Sequence, residues 1–274
     1  LDLWKSFLEK YKNPKRKVKI GLVGKYVELQ DSYKSILEAM IHAGAINETE
    51  VEVVSIHSEF LNQINAQEQL KNLHGLIVAP GFGGRGIEGK IDAITYVREK
   101  KVPFFGICLG MQMAVIEYAR NILMYSNANS TEIDENTDYP VIDLMESQKG
   151  VDNKGGTMRL GTWNCDLTPG SKVSEVYGEG QITERHRHRF EFNNQYKKEV
   201  FEKGALKVSG INPETDLVEI VENQDHPWFV GVQFHPEYKS TVSNPHPLFV
   251  AFIKASIDCL SQQQPVYNPW RKET

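Results

Sequence analysis

A cysteine at the junction of an apolar run and a helical pattern is the residue best suited to chemistry in this chain. Cys108 follows the run Val102–Ile107 and is flanked by Gly106 and Gly110. This context predicts a buried strand that turns sharply into a helix, with the glycines permitting a tight backbone path. Unpaired N–H groups at a helix N-terminus favour a thiolate over a thiol. Cys108 is therefore a candidate nucleophile, although a small buried hydrophobe would also fit the run.

A histidine and a carboxylate far downstream supply partners for that thiol. The apolar run Phe229–Phe234 ends in His235, Pro236 and Glu237. His235 and Glu237 are two residues apart, so their side chains leave the same face of an extended backbone, and the carboxylate can hold the imidazole in one tautomer. A plain turn at a strand end would explain the two residues if they stood alone. Joined to Cys108, they form a nucleophile, a proton carrier and an orienting acid.

The motifs around these residues carry a resemblance to a known enzyme family. Gly106–Gln112 and His235–Glu237 together are similar to the triad class of glutamine amidotransferases. Within that class the chain resembles the C-terminal glutaminase domain of CTP synthases, from about Val18 to about Leu260. Four more stretches carry this resemblance in the family's order: Gly83–Lys90, Ala128–Glu132, Gly155–Gly161 and Glu184–Glu191.

The order of apolar runs predicts an α/β fold with a mainly parallel central sheet and helices on both faces. Strand-like runs alternate with amphipathic segments and comprise Val18–Val23, Val51–Ile56, Gly75–Ala79 and Val102–Ile107. A helix is predicted to open at Asp31 or Ser32 and to turn inward Tyr33, Ile36, Leu37, Met40 and Ile41. The weaker pattern from Asn121 to Gly180 predicts loops and short strands, a small antiparallel addition. The resemblance implies a class I glutamine amidotransferase-like, flavodoxin-like fold.

Ligand sites in such sheets lie at the carboxyl ends of the strands. Cys108, the loop at Pro80 and Gly81, and His235 all follow predicted strands. We therefore expect these three segments to converge on one cleft.

Composition limits the classes of protein to which the chain can belong. With 274 residues, 40% of them apolar and 24% charged, it can bury one substantial core. Three cysteines are too few for a disulfide framework, which favours a reducing compartment and a cytoplasmic location. No apolar stretch reaches the length of a membrane span, and a net charge of −5 argues against a general nucleic-acid surface. We therefore expect neither a membrane nor a nucleic-acid partner.

The ends of the chain differ from its middle. Residues 1–17 are interpreted as a connector helix and linker from a missing N-terminal domain, because Trp4, Phe7, Leu8 and Tyr11 are spaced as on a helix. The basic stretch Lys12–Lys19 is interpreted as solvated linker. Residues 18–262 form the predicted amidotransferase domain, and residues 263–274 a flexible tail. By resemblance, the missing part is a synthase domain that binds ATP and Mg²⁺.

Attack by sulfur on an amide creates an oxyanion that needs N–H donors held in position. The N–H of Leu109 is the first predicted donor. The family commonly has two adjacent glycines where this sequence has Pro80 and Gly81. Pro80 has no N–H, so Gly81 must supply the second donor.

The resemblance also implies how glutamine is held. Arg189 would bind its α-carboxylate beside the backbone of Phe190, Glu132 would receive its α-ammonium, and Gln112 would contact it next to the nucleophile. The remaining implied contacts are Gly81, Phe82 and Leu109. Strict alternation would place Arg185, Arg187 and Arg189 on one strand face and His186, His188 and Phe190 on the other. His186 and His188 could form a metal pair, but no Cys or carboxylate completes a convincing set nearby, so no zinc is expected.

Three further residues are implied to bind an allosteric activator, GTP: Arg85, Gly86 and Glu88. Arg85 offers charge and a planar stacking surface, and Glu88 could accept from a guanine edge. A surface Arg/Glu pair at a helix N-terminus is the alternative for the two charged residues.

The implied reaction is hydrolysis of L-glutamine through a cysteine thioester, with no metal or organic cofactor in this domain. The resemblance implies that the ammonia aminates UTP to CTP in the synthase domain of a homotetramer. Two alternatives stay open. One is another cysteine hydrolase on the same fold, such as a γ-glutamyl peptidase or the glutaminase of a different synthase. The other is a regulatory domain that has lost turnover.

Overall fold

The computed structural model describes residues 1–144, 158–202 and 204–263. The strands in these ranges are β1 (Arg16–Gly24), β2 (Thr49–His57), β3 (Gly75–Val78), β4 (Phe104–Ile107), β5 (Asn129–Ser130), β6 (Pro140–Leu144), β7 (Arg159–Leu167), β8 (Gln181–His188), β9 (Phe190–Phe192), β10 (Leu206–Ile211), β11 (Val218–Asn223) and β12 (Phe229–Val232). The helices are α1 (Asp2–Lys12), α2 (Lys34–Ile46), α3 (Ala66–Leu70), α4 (Ile87–Lys100), α5 (Leu109–Asn121), α6 (Lys172–Tyr177), α7 (Lys197–Glu202) and α8 (Pro247–Gln263).

A large central sheet organises the described part of the chain. In this sheet, nine strands pair in the order β2-β1-β3-β4-β12-β11-β10-β7-β8. The first five are parallel, and the pairs from β12 onward are antiparallel. Strands β5, β6 and β9 form a second, three-stranded sheet. The predicted parallel sheet is confirmed.

The antiparallel half of the sheet is larger than the small addition expected from the sequence. Strand β7 is nine residues long and β8 eight. Burial alternates residue by residue along β8. Three of the four buried residues of β8 are polar, namely Glu184, His186 and His188, so the strand lacks the continuous apolar run by which the parallel strands are recognised.

Helices cover both faces of the sheet, as predicted. Phe104 packs in one buried cluster with side chains of α4 and α5, whereas Phe105 packs in a second cluster with α2 and α8. The rings of Phe105 and Phe249 lie 5.2 Å apart. Successive side chains of a strand point to opposite faces, so β4 contributes to both cores and is buried on each side.

Helix α2 follows a 3-10 turn, Gln30–Tyr33, so the helical segment opens close to the predicted position. Ile36 and Met40 are buried as expected, but Ile41 is 39% exposed and its predicted inward orientation is wrong. Ala39 and Ala43 complete the buried stripe instead. Ile41 lies about 100° around the helix from Met40, outside that stripe.

The N-terminal segment is less of a linker than predicted. Strand β1 begins at Arg16, so part of the basic stretch pairs in the sheet. Lys17 forms ion pairs of 3.0 Å with Glu50 and 3.1 Å with Glu52 because the neighbouring strand β2 is acidic. Helix α1 rests on α2 through Phe7, whose ring centroid lies 6.2 Å from that of His42. The assignment of residues 1–17 to a connector from another domain remains a prediction.

At the other end, α8 continues to Gln263. The rest of the predicted tail, residues 264–274, lies outside the described residues. Within the described ranges, no helix combines the length and apolar character needed to cross a membrane.

Candidate functional site

Cys108 lies on a strained turn between β4 and α5. Its backbone has φ 52° and ψ −104°, a conformation that a residue with a side chain rarely adopts. A Cβ on Gly106 would lie 2.7 Å from the carbonyl of Gly110, and a Cβ on Gly110 would lie 2.3 Å from the carbonyl oxygen of Val78. The two glycines therefore act by close packing, while the cysteine itself takes the strained conformation.

Strand β12 brings its C-terminal neighbours to this turn. The N–H of Cys108 donates to the carbonyl of Val232 at 2.7 Å, because β12 runs parallel to β4. Gln233 follows, with Nε2 3.7 Å from the sulfur of Cys108. Its Oε1 accepts a hydrogen bond of 3.1 Å from Gln112. Gln233 was not predicted, although it lies two residues before His235 on the same run and so shares its face.

The structure brings His235 and Glu237 to the same place. Nδ1 of His235 lies 2.7 Å from Oε1 of Glu237, and both side chains are buried. Burial lowers the pKa of His235, but Cys108 and Glu237 together outweigh it and raise the pKa to about 11. Nε2 has no hydrogen-bond partner of ordinary geometry among the described residues, although the thiol is near enough to raise that pKa. The imidazole can therefore act toward sulfur while the carboxylate orients it.

An open cleft of about 280 Å³ reaches the sulfur. Its lining comprises Tyr26, Ser32, Tyr33, Pro80, Gly81, Phe82, Cys108, Arg187, His235 and Tyr238. The three segments expected to converge do so here. Tyr238 stacks on His235 with ring centroids 5.2 Å apart. The sequence analysis did not identify Tyr26 or Tyr238, and it assigned Arg187 no role in the site.

A second, inner pocket also reaches Cys108 and shares Gly81 and Phe82 with the open cleft. It is lined by Gly81, Phe82, Cys108, Gln112, Glu132, His188, Arg189 and Phe190. All the residues implied to bind glutamine line this inner pocket except Leu109, the first residue of α5.

Alternation along β8 ends before Arg189. His186 and His188 are buried and Arg185 and Arg187 exposed, as predicted. Strand β8 stops at His188, and Phe190 begins β9 in the other sheet. Arg189 is the link between the sheets and lines the inner pocket with His188 and Phe190, so its predicted place on the face of Arg185 and Arg187 is wrong.

Two of the residues implied to bind glutamine are already hydrogen-bonded to the chain. Oε1 of Glu132 accepts from the N–H of Gly83 at 2.8 Å, and Nε2 of Gln112 donates to the carbonyl of Phe190 at 2.8 Å. The inner pocket has a free volume of about 10 Å³, room for one water molecule. Glutamine can occupy it only when the lining side chains move.

A buried charge cluster stands behind the inner pocket. Arg159 binds Glu219 at 2.6 Å and Glu191 at 3.2 Å, and Nε2 of His188 lies 3.1 Å from Glu191. Burial lowers the pKa of both His186 and His188. No group of metal-ligating side chains with the arrangement of an ion site occurs in the described ranges. The cluster ties β7, β9 and β11 together beneath the residues that line the pocket.

Replacing Arg159 with alanine should destabilise the fold by about 3–5 kcal/mol, because two buried carboxylates lose their cation. Urea unfolding followed by circular dichroism measures the change. Arg16→Ala, at the exposed start of β1, is the control and should change stability by less than about 0.5 kcal/mol. Equal effects of the two substitutions would contradict a stabilising role for the cluster.

The residues implied to bind GTP lie at the start of α4. Nε of Arg85 is 2.8 Å from Glu59, and its guanidinium lies 5.1 Å from the ring centroid of Tyr26, which also lines the open cleft. Glu88 pairs with Arg120 at 2.9 Å, and Gly86 caps the helix with φ 68°. Arg85 and Glu88 therefore form ion pairs with other residues and not with each other. Part of another motif of the resemblance, residues 155–157, lies outside the described residues.

Comparison with known proteins supports the same family. The family model "Glutamine amidotransferase class-I" matches residues 28–255. The CTP synthases of Flavobacterium psychrophilum and Flavobacterium johnsoniae are 65% and 63% identical over 257 and 258 residues. Each match covers 94% of this chain and 48% of the relative, so the chain spans about half the length of the curated relatives it matches. The glutaminase domain of Trypanosoma brucei CTPS, solved with bound acivicin, has a TM-score of 0.82 and 33% identity, covering 92% of this chain and 96% of that one.

Proposed function

The chain belongs to the class-I glutamine amidotransferases and, within them, to the glutaminase domains of CTP synthases, and from that premise we propose how its residues hydrolyse L-glutamine. The observation that carries the proposal is that Cys108 and His235 line one cleft, with Glu237 paired to His235 and the cysteine on a strained turn. The products are glutamate and ammonia.

The first half of the reaction forms a thioester. The thiolate of Cys108 attacks the amide carbon of glutamine, and the carbonyl electron pair moves to oxygen. Protonated His235 then gives its proton to the amide nitrogen, the C–N bond breaks, and ammonia leaves. A γ-glutamyl thioester remains on the sulfur, and Glu237 holds the imidazole in the orientation that serves both steps.

The second half releases glutamate. His235, now neutral, takes a proton from water, and the resulting hydroxide attacks the thioester carbon. The C–S bond breaks and the sulfur regains its thiolate form. In both halves the N–H of Leu109, at the start of α5, and that of Gly81 would bind the oxyanion. All these groups belong to the chain, and we propose no metal or organic cofactor for this domain.

Arg189 is proposed to bind the α-carboxylate of glutamine from the inner pocket, with Glu132 receiving the α-ammonium. Arg189→Lys should raise KM for glutamine about tenfold and change kcat far less, because lysine keeps the charge and loses the planar fork. Steady-state glutamate release measures both constants. Arg185→Lys, on the exposed face of β8, is the control and should leave KM within about twofold. A fall in kcat with unchanged KM would contradict the assignment.

We propose that the whole protein is a CTP synthase in which the ammonia aminates UTP in a synthase domain that uses ATP and Mg²⁺, in pyrimidine nucleotide biosynthesis. The support is the identity with CTP synthases that are about twice as long as this chain. Assembly as a homotetramer and a cytoplasmic location remain predictions.

The residues at the start of α4 are proposed to bind GTP. In the full-length protein, Arg85→Ala should abolish GTP stimulation of glutamine hydrolysis and leave the rate without GTP within about twofold. The reason is that the guanidinium of Arg85 already lies over the ring of Tyr26 at the rim of the cleft. A guanine could stack on Arg85 there in place of the tyrosine ring. Glutamate release with and without GTP measures the effect, and Arg16→Ala is the control. Unchanged stimulation would remove the proposal.

Covalent labelling tests the function. The chain is incubated with acivicin, the compound bound in the Trypanosoma brucei structure, and its cysteine peptides are analysed by mass spectrometry. We expect one adduct on Cys108, blocked by excess glutamine and absent from Cys108→Ala. An adduct on Cys165 or Cys259 would mean that a different thiol is the nucleophile. Labelling without glutamine hydrolysis in the full-length protein would favour a domain that has lost turnover, and hydrolysis of γ-glutamyl peptides in preference to glutamine would favour a peptidase.

A further inference from the structure

A lysine is buried beneath the loop that faces the nucleophile. Lys90 lies on α4, and its side chain is 0% exposed. It belongs to the inward stripe of that helix, between the apolar residues Ile87 and Ile94. A buried ammonium is expensive unless it has partners of its own. The charge of Lys90 therefore needs an explanation, because an apolar residue would fit the same stripe at lower cost.

The partner of Lys90 is the backbone of the loop. Its Nζ donates to the carbonyl of Ala79 at 3.3 Å and lies 3.9 Å from the position that a Cβ on Gly81 would occupy. The amine thus lies directly under the residue proposed as the second oxyanion donor. Because Pro80 lacks an N–H, it cannot bind the oxyanion, and the loop depends on the orientation of the Gly81 N–H for that contact.

A second lysine holds the far end of the same loop. Lys25, at the end of β1, is also buried, and its Nζ donates to the carbonyls of Phe82 and Gly83, the latter at 2.8 Å. The N–H of Gly83 donates to Glu132. Loop carbonyls at both ends are therefore anchored to ammonium groups.

The charged groups that face Lys90 come from two other elements. Lys25, directly after β1, and Cys108, at the turn between β4 and α5, both interact electrostatically with Lys90. Burial first, and then Lys25, lower the pKa of Lys90 to about 7, while Cys108 opposes that shift. The interaction between Lys90 and a thiolate at Cys108 is attractive, and the surrounding protein screens it less than water would.

We propose that Lys90 is a positioning residue with two effects: its ammonium holds the loop Ala79–Gly83 in the orientation that presents Gly81 to the oxyanion, and its charge favours the thiolate of Cys108. The proposal deepens the glutaminase function proposed above and rests on it. Lys90 does not touch the substrate and transfers no proton.

The test compares wild type with Lys90→Met, which keeps the length and apolar stem of the side chain but removes the charge. Alkylation of Cys108 by iodoacetamide, followed by mass spectrometry of its peptide, reports thiolate reactivity without any need for turnover. We expect the alkylation rate at pH 6 to fall about tenfold, and the difference to shrink above pH 8 as Lys90 loses its proton. For glutamine hydrolysis, we expect kcat to fall more than KM changes.

Two further variants separate the charge effect from the loop effect. Lys25→Met should lower kcat for glutamine hydrolysis but leave Cys108 alkylation within about twofold, since Lys25 holds the loop and Cys108 does not contribute to its titration. Lys254→Met, an exposed residue of α8, should change neither measurement. If Lys90→Met shows the wild-type alkylation profile and kcat, the proposal is overturned, while the glutaminase function stands on the turnover of the wild type.

A measurement on the intact lysine covers the case in which Lys90→Met does not fold. NMR of ¹³Cε-labelled lysines can follow the titration of Lys90 in the wild type and in Cys108→Ala. We expect the Lys90 titration to move to lower pH when the sulfur is removed. Identical titrations in the two proteins would also overturn the proposal.

Discussion

Replacing Cys108 with serine is expected to lower the rate of glutamine hydrolysis by about 10⁴-fold or more. Serine fits the same site and meets the same backbone strain, so the fold should be kept. A hydroxyl stays protonated where a thiol ionises, and the protonated His235 beside it cannot act as its base. Release of labelled glutamate over long incubations would measure the residual rate, with thermal unfolding as a check on the fold.

The control for this substitution is Cys259→Ser. Cys259 is partly exposed on α8, and burial raises the pKa of its thiol. We expect its loss to change the hydrolysis rate by less than about twofold. A Cys108→Ser protein with more than a tenth of the wild-type rate would show that the sulfur of Cys108 does not form the thioester.

Replacing His235 with asparagine should cause a comparable loss, about 10³-fold or more in kcat, because the imidazole that gives its proton to the departing ammonia is removed. Glu237→Gln should have a smaller effect, about 10²-fold or more, since the imidazole stays but loses its orienting charge. Stopped assays of ammonia release at several pH values would measure both. Wild-type kcat in His235→Asn would contradict the proposed mechanism.

The raised pKa of His235 adds a stability test with a definite sign. The folded protein holds the proton up to about pH 11, whereas an unfolded chain loses it near pH 6.5. The resulting stabilisation is complete below about pH 6.5 and is lost as the pH rises toward 11. The free energy of unfolding of wild type should therefore fall relative to that of His235→Asn across this interval. Parallel curves from urea titrations would contradict the shift.

Several parts of the site follow from local sequence because they depend on neighbouring residues alone. The run before Cys108 specifies a buried strand, and Gly106 and Gly110 allow the backbone to pass closely at the turn. The spacing of His235 and Glu237 places both on one face, and the structure joins them at 2.7 Å. The rule that sites lie at the carboxyl ends of parallel strands then predicts a single cleft, and that cleft exists.

Other parts depended on contacts between distant segments. Arg189 lines the inner pocket because the chain leaves one sheet at His188 and enters another at Phe190, and no local period predicts such a crossing. Ile41 is exposed although its spacing predicted an inward side chain, because the elements that pack against α2 cover the face of Ala39 and Ala43 instead. Lys90 looks like a surface lysine in sequence, and only the packing of α4 under the loop buries it. Local periodicity specifies which face of an element is apolar, whereas burial and charge pairing depend on the elements that pack against it.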